Sequence, residues 1–283
     1  MFAKKTDIGN QPVRSLQNVR HIILDLDGTI YNGHTLFPFI KDFLDDLKNL
    51  QVDYTFLTNN SSLSVTAYIR KLRRMGLPVK PTQVYTSAQA TIDYLRRRYP
   101  AIKRIYLVGT QSLRREFINS GFTVVGDDLT NEPDAVIVGF DTSLTFQKLC
   151  GAAYWIKTGK LFIATHPDLT CPTDQDTVLV DCGAVCAALK AATGKKPSAV
   201  LGKPDPSMIK GIMQRFGLKK DEVAIVGDRL YTDIKMARQA GIASVLVLSG
   251  ETTQADLQES PILPDYVLEN VGELSKILRQ SRK

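Results

Sequence analysis

Nowhere in the 283-residue chain do eighteen consecutive apolar residues occur, and the first twenty residues carry basic groups without an apolar h-region. A membrane-spanning helix is therefore not expected, and neither is a secretory leader; the expectation is a cytoplasmic protein. Cysteines are few (Cys150, Cys171, Cys182 and Cys186) and form no C-x-x-C pair, and only three histidines exist to join them. A zinc module is not supported, and the four thiols are expected to be small buried hydrophobes in a reducing compartment. The glycines of LVGTQSL and GDDL make no G-x-G-x-x-G, so dinucleotide binding finds no support. Blocks of like charge are missing too: the net charge of +7 is scattered through LRRM, LRRRYP, GKKP and LKKD. Nucleic acid is not the expected partner, while small anions, phosphate esters among them, are favoured.

What the chain does contain is a long alternation of apolar runs with helical patterns. Strands are expected at IILDL (22–26), VDYTFLT (52–58), VYT (84–86), IYLVG (105–109), AVIVG (135–139), LFIAT (161–165), TVLV (177–180), AVLG (199–202), VAIVG (223–227) and SVLVLS (244–249). Between most of them the period is near 3.6. In SVTAYIRKLRRMG, Val65, Tyr68, Ile69, Leu72 and Met75 form one stripe ahead of Gly76. In DPSMIKGIMQRFG, Asp205 is the expected N-cap, and Met208, Ile209, Ile212, Met213 and Phe216 share a face that ends at Gly217. Apolar strands alternating with helices read as an α/β fold with a covered parallel sheet.

Such sheets bind ligands beyond the carboxyl ends of their strands. Three strand ends carry chemistry, DLDGT, LTNNS and GDRLYTD, and Lys203 follows a fourth. Asp25 and Asp27 lie two apart in an extended segment, which sends both to one side. Gly28 permits a sharp turn and is expected to leave backbone N–H groups bare for an anion, with the Thr29 hydroxyl tying the loop. Asp228 ends another strand, and Asp233 falls in what reads as a first helical turn. Should these carboxylates converge, like charges about 4 Å apart repel by roughly 4 kcal/mol at an effective dielectric near 20, and a cation is needed. An all-oxygen donor set points to Mg²⁺. Thr58, Asn59 and Asn60 offer a hydroxyl, amides and N–H groups, and Lys203 an ammonium, which suit a dianionic phosphate. Phosphoryl transfer fits, with one aspartate attacking phosphorus and another moving the proton.

With DLDGT at 25–29, LTNNS at 57–61, Lys203 in GKPDP and GDRLYTD at 227–233, the chain resembles phosphatases of the haloacid dehalogenase superfamily. The short gap after the first motif and the long one between Asn60 and Lys203, together with FIATHPD, are similar to its NagD-like branch of p-nitrophenyl, pyridoxal and sugar or nucleotide phosphatases. The resemblance implies a Rossmann-like core (1–99 and 183–283) with a smaller inserted α/β cap (100–182). It implies Asp25 as nucleophile and Asp27 as general acid and base. Magnesium would be held by the Asp25 carboxylate, the Asp27 carbonyl and Asp228, with Asp233 an outer partner. Thr58, Asn59, Asn60, Lys203 and Gly28 would hold phosphate, and His166 and Asp168 are candidates for substrate discrimination. His166 stands where the familiar pattern has Asn. Dimers joined through the cap fit the resemblance, and the substrate class is a small phosphorylated metabolite. Two alternatives stay open: a non-catalytic binder of phosphometabolites, and a phosphotransferase or mutase on the same scaffold.

The bland readings are turn elements and framework. A lone histidine in Thr-His-Pro-Asp is ordinarily part of a turn; Tyr31, Asn32 and Arg229 flank motifs as framework does; Trp155 lies on an apolar helical face and is expected in the core.

Overall fold

A computed structural model describes residues 4–5, 13–171, 173 and 176–282. The chain groups into two compact units, one of residues 1–57, 72–84 and 204–283, the other of 58–71 and 85–203. The segment expected to be the cap, 100–182, lies within the second.

In the first unit the backbone is a seven-stranded sheet in the order Lys4–Lys5, Tyr266–Leu268, Ala243–Val247, Val223–Gly227, His21–Asp25, Asp53–Thr58, Val84–Thr86. Every residue of the strands at 21–25, 223–227 and 243–247 is buried, as expected of parallel strands covered on both faces. Register decides what their ends bring together. Val226 pairs with Leu24 and Asp25 with Leu57, so Gly227 comes level with Asp25 and Asp228 follows one residue on. Helix Ile40–Asn49 buries Ile40, Phe43, Leu44 and Leu47, and Ser207–Phe216 buries Met208, Ile209 and Ile212. The latter helix begins two residues after Asp205, whose carboxylate accepts from Ser207 N–H at 2.7 Å.

The second unit is built on a five-stranded parallel sheet in the order Ala199–Val200, Leu161–Ala164, Ala135–Val138, Arg104–Val108, Thr123–Val124. Thr110 and Thr145 cap helices Gln111–Asn119 and Phe146–Lys157 with their hydroxyls. Trp155 is buried against Val136 and Phe162 among others, as expected of a core residue. All four cysteines are free. Only Cys182 and Cys186 are buried; Cys150 is exposed and Cys171 partly so, because Cys150 lies on the outer face of its helix. The expectation of four buried thiols fails for those two.

The ten expected strands are present, shortened by a residue or two at several ends, and the fold class is α/β with a Rossmann-like core and a separate smaller-sheet unit.

Candidate active site

In the first unit the strand ends gather acids. Asp25, Asp228 and Asp233 are buried, and one carboxylate oxygen from each lies within 4.8 Å of the others. When both are ionised, each pair repels by at least roughly 3.5 kcal/mol at an effective dielectric near 20. Asp228 Oδ2 accepts from Glu251 N–H at 2.7 Å, but its Oδ1 is buried with no hydrogen-bond partner among the described residues. Burial first, and then Asp25 and Asp233, push the Asp228 carboxyl up to about 8. A buried, like-charged oxygen set with Asp228 Oδ1 left unpaired among the described residues suits a hard divalent cation such as Mg²⁺.

Backbone geometry creates the crowding. Asp233 falls in a first helical turn as expected, and that turn, Leu230–Ile234, is π-helical and carries Asp233 inward. A Cβ on Gly227 would lie 2.3 Å from Asp233 Cγ, and a Cβ on Gly250 only 2.0 Å from Asp228 Oδ2. Gly28, at φ +80°, is pressed against the same oxygen, which a Cβ would meet at 2.3 Å. Its N–H is not bare, as was expected, but donates to Tyr31 O at 2.8 Å, because the chain doubles back at once into the Tyr31–Asn32 strand. Nor does Thr29 tie the loop, since its buried hydroxyl has no partner among the described residues. Asp27 is half-buried and its Oδ2 accepts from Tyr31 O–H at 3.2 Å. Glu251, unforeseen in the sequence, joins the site to its framework. Its carboxylate pairs with Arg229 Nε at 2.8 Å and accepts from Tyr231 O–H at 2.5 Å. The available signal was its place just past a strand adjacent to the Asp228 strand.

The second unit holds the remaining candidates, and there nearly every group is spoken for. Thr58 Oγ1 accepts from Asn60 N–H at 3.1 Å. Asn60 Oδ1 accepts from Ser62 N–H at 3.0 Å and from Ser62 Oγ at 2.6 Å. Asn59 Oδ1 accepts from Lys203 N–H at 2.6 Å, while its Nδ2 donates to Lys203 O at 3.0 Å and to both Asp168 oxygens at 3.2 and 3.0 Å. Lys203 is buried.

His166 is fully buried, with Nδ1 2.9 Å from Thr165 Oγ1 and Nε2 2.9 Å from Asp181 Oδ1. Asp181 also caps the Cys182–Thr193 helix, accepting from Cys182 N–H. Burial alone lowers the imidazolium's pKa, but the Cys182 sulfur and the Asp181 and Asp168 carboxylates outweigh it and raise it to about 9. His166, Asp168 and Asp181 also gather ligand atoms within 4.8 Å. Both ring nitrogens already have an oxygen partner at 2.9 Å, so the cluster closes on itself as a hydrogen-bonded His166–Asp181 pair. Asp181 and Thr165 were missed in the sequence because nothing in their neighbourhood marks them; His166, a sequence candidate for substrate discrimination with a turn element as the bland reading, is fully buried in this network.

Two family profiles match: residues 22–123 fit haloacid dehalogenase-like hydrolases and residues 200–274 fit an HAD-hydrolase-like family. The acid sugar phosphatase of Staphylococcus epidermidis is 32% identical over 265 residues, spanning 92% of this chain and 100% of that protein. The crystal structure of 4-nitrophenylphosphatase from Thermotoga maritima superposes with a TM-score of 0.87 at 42% identity, covering 93% of this chain and 98% of the other. Glycerol phosphate phosphatase from Mycobacterium tuberculosis, solved in complex with magnesium, superposes with a TM-score of 0.83 at 31% identity, covering 94% and 79%. This chain belongs to the haloacid dehalogenase-like hydrolase family, in the NagD-like branch that its motif spacing indicated.

Proposed function

We infer that the chain is a magnesium-dependent phosphatase that hydrolyses a small phosphomonoester through an aspartyl-phosphate on Asp25. The observation that carries the reading is the buried trio Asp25, Asp228 and Asp233, with Asp228 Oδ1 unpaired among the described residues. Asp25, Asp228 and the Asp27 carbonyl would hold magnesium, with Asp233 as an outer partner. When bound, the ion offsets the carboxylate charge and draws electron density from the phosphoryl oxygens.

An Asp25 carboxylate oxygen forms the bond to phosphorus as the ester P–O bond breaks, and the Asp27 carboxyl proton passes to the departing alkoxide. Asp27, now a carboxylate, takes a proton from water whose oxygen attacks the same phosphorus; the bond to Asp25 breaks and inorganic phosphate leaves. Tyr31 O–H, at 3.2 Å from Asp27 Oδ2, holds that carboxyl in orientation. Lys203 supplies positive charge for the phosphate, and Thr58 and Asn60 supply donors. The segment 100–182 serves as the cap, with discrimination among leaving groups as its task, and the substrate is a small phosphorylated metabolite of the sugar phosphate or nucleotide kind.

The test is release of p-nitrophenol from p-nitrophenyl phosphate with Mg²⁺ and with EDTA. Turnover with the metal and none with the chelator is expected. A well-folded protein that turns over no ester in a broad panel is a binder instead, and phosphate moved to an acceptor alcohol makes it a transferase.

A further inference from the structure

We propose that Asp168 and Asn59 form a relay that positions Lys203, with Asn59 acting through its side chain on the lysine backbone rather than on phosphate. The proposal rests on Lys203 being the phosphate-binding cation. An asparagine amide has one acceptor and two N–H donors. Here Oδ1 takes Lys203 N–H at 2.6 Å, and Nδ2 gives one bond to Lys203 O at 3.0 Å. The amide thus brackets the lysine on both sides of its Cα, the way a neighbouring strand would. Its remaining N–H points between the two Asp168 oxygens, at 3.2 and 3.0 Å.

That last contact adds to the two Lys203 bonds in fixing which way the amide faces. A flipped Asn59 would turn Oδ1 toward both the Asp168 carboxylate and Lys203 O and set its NH₂ against Lys203 N–H, a repulsion in place of every bond. Asp168 therefore braces the amide from its far side, and Asn59 holds the lysine backbone. Neighbouring geometry makes the relay rigid. Gly202, at φ +74°, has no room for a Cβ, which would lie 2.7 Å from Asn59 Oδ1, 2.7 Å from His166 Cβ and 2.9 Å from Thr165 O. The chain thereby presses Lys203 onto the amide. Asp168 is held from behind, its carbonyl accepting from Gly183 N–H at 2.7 Å at the start of helix Cys182–Thr193. Asn59 O in turn accepts from Ser87 Oγ. An ammonium on a buried, backbone-clamped lysine has few rotamers left, so a shift of its peptide moves the charge directly.

The experiment measures inorganic phosphate binding by calorimetry in Mg²⁺, beside kcat and KM for p-nitrophenyl phosphate and larger esters, in the wild type, Asp168→Ala and Asp168→Asn. Inorganic phosphate has no leaving group, so it reads Lys203 and not a substrate contact. Asp168→Ala is expected to weaken phosphate binding about ten-fold and lower kcat, the effect of one lost bond to a charged acceptor. Asp168→Asn, whose Oδ1 still accepts from Asn59, is expected to recover most of both. Unaltered phosphate binding in Asp168→Ala, with KM changed only for larger esters, would make Asp168 a substrate contact and overturn the relay. Equal loss in both variants would overturn it in favour of the bare charge. Should Asp168→Ala not fold, Asn59→Asp is compared with the exchange Asn59→Asp/Asp168→Asn: recovery by the exchange supports the relay and its absence overturns it. A wild type that binds phosphate but releases none from any ester defeats the phosphatase reading alone.

Discussion

Two acid-bearing clusters, one in each unit, are built by opposite rules. Around Asp25, Asp228 and Asp233 the charges are alike and crowded, Asp228 Oδ1 has no partner among the described residues, and the Asp228 carboxyl is pushed up to about 8 by burial and its neighbours. Around His166, Asp181, Asp168 and Asn59 the charges are opposite and the polar atoms are matched within 2.6–3.2 Å. Burial is nearly complete in both, so burial does not separate a reactive cluster from a structural one; the state of satisfaction does. An arrangement the chain cannot satisfy by itself points to an external ligand, and a satisfied one to a positioning framework.

The largest effect that sharpens this contrast is on rate. Asp25→Asn is expected to lower p-nitrophenyl phosphate turnover at least about a thousand-fold with no loss of melting temperature, because the nucleophile is lost while the packing is kept and a repelling charge is removed. Next comes the matched cluster. Asp181→Ala leaves a buried imidazolium unpaired and is expected to cost about 3–5 kcal/mol, read as a drop of several degrees in Tm. The pH dependence has a definite sign: the His166 pKa is raised to about 9, so its stabilisation is full below about 6.5 and fades as pH rises through 9. The gap in Tm between wild type and Asp181→Ala should therefore narrow from pH 6 to above 9.

Smaller is the response to metal. Mg²⁺ at a hundred times its dissociation constant is expected to add about 2.7 kcal/mol to stability, reversed by EDTA. Least is Asp228→Asn, which above about pH 8, where the Asp228 carboxyl is ionised, removes one of three repelling charges and keeps an acceptor for Glu251 N–H. Without metal it should melt a few degrees higher than wild type, an offset of about 1–2 kcal/mol, and should lose the Mg²⁺ response. A lower metal-free Tm in that variant would break the comparison.

Legibility in the sequence followed the same divide. Strands such as VAIVG and IILDL could be read because continuous apolar runs between helical patterns leave few other folds. The pairs at Thr123–Val124 and Thr170–Cys171 could not, since two residues carry no period. Asp25, Asp27 and Asp228 were visible because each directly follows or ends an apolar run. Glu251, Asp181, Gly227 and Gly250 were not, because what each does is decided by a partner 6 to 23 residues away or by a missing Cβ. The family likeness offered Asn59 as a phosphate ligand; its clamp on Lys203, 144 positions further on, is a product of tertiary structure alone.

The interleaving of the seven-stranded sheet bears on how the chain is made. Strand His21–Asp25 acquires Asp53–Thr58 early, but its other neighbour is Val223–Gly227. At ribosomal speeds of about 5–20 residues per second, that flank stays unpaired for roughly 10–30 s. The nearly continuous block 85–203 emerges whole in the meantime. Nascent chains halted once residue 203 has left the ribosome and before residue 223 has should thus display a protease-resistant insert attached to an open, sticky β-edge, the form on which a holdase chaperone would act.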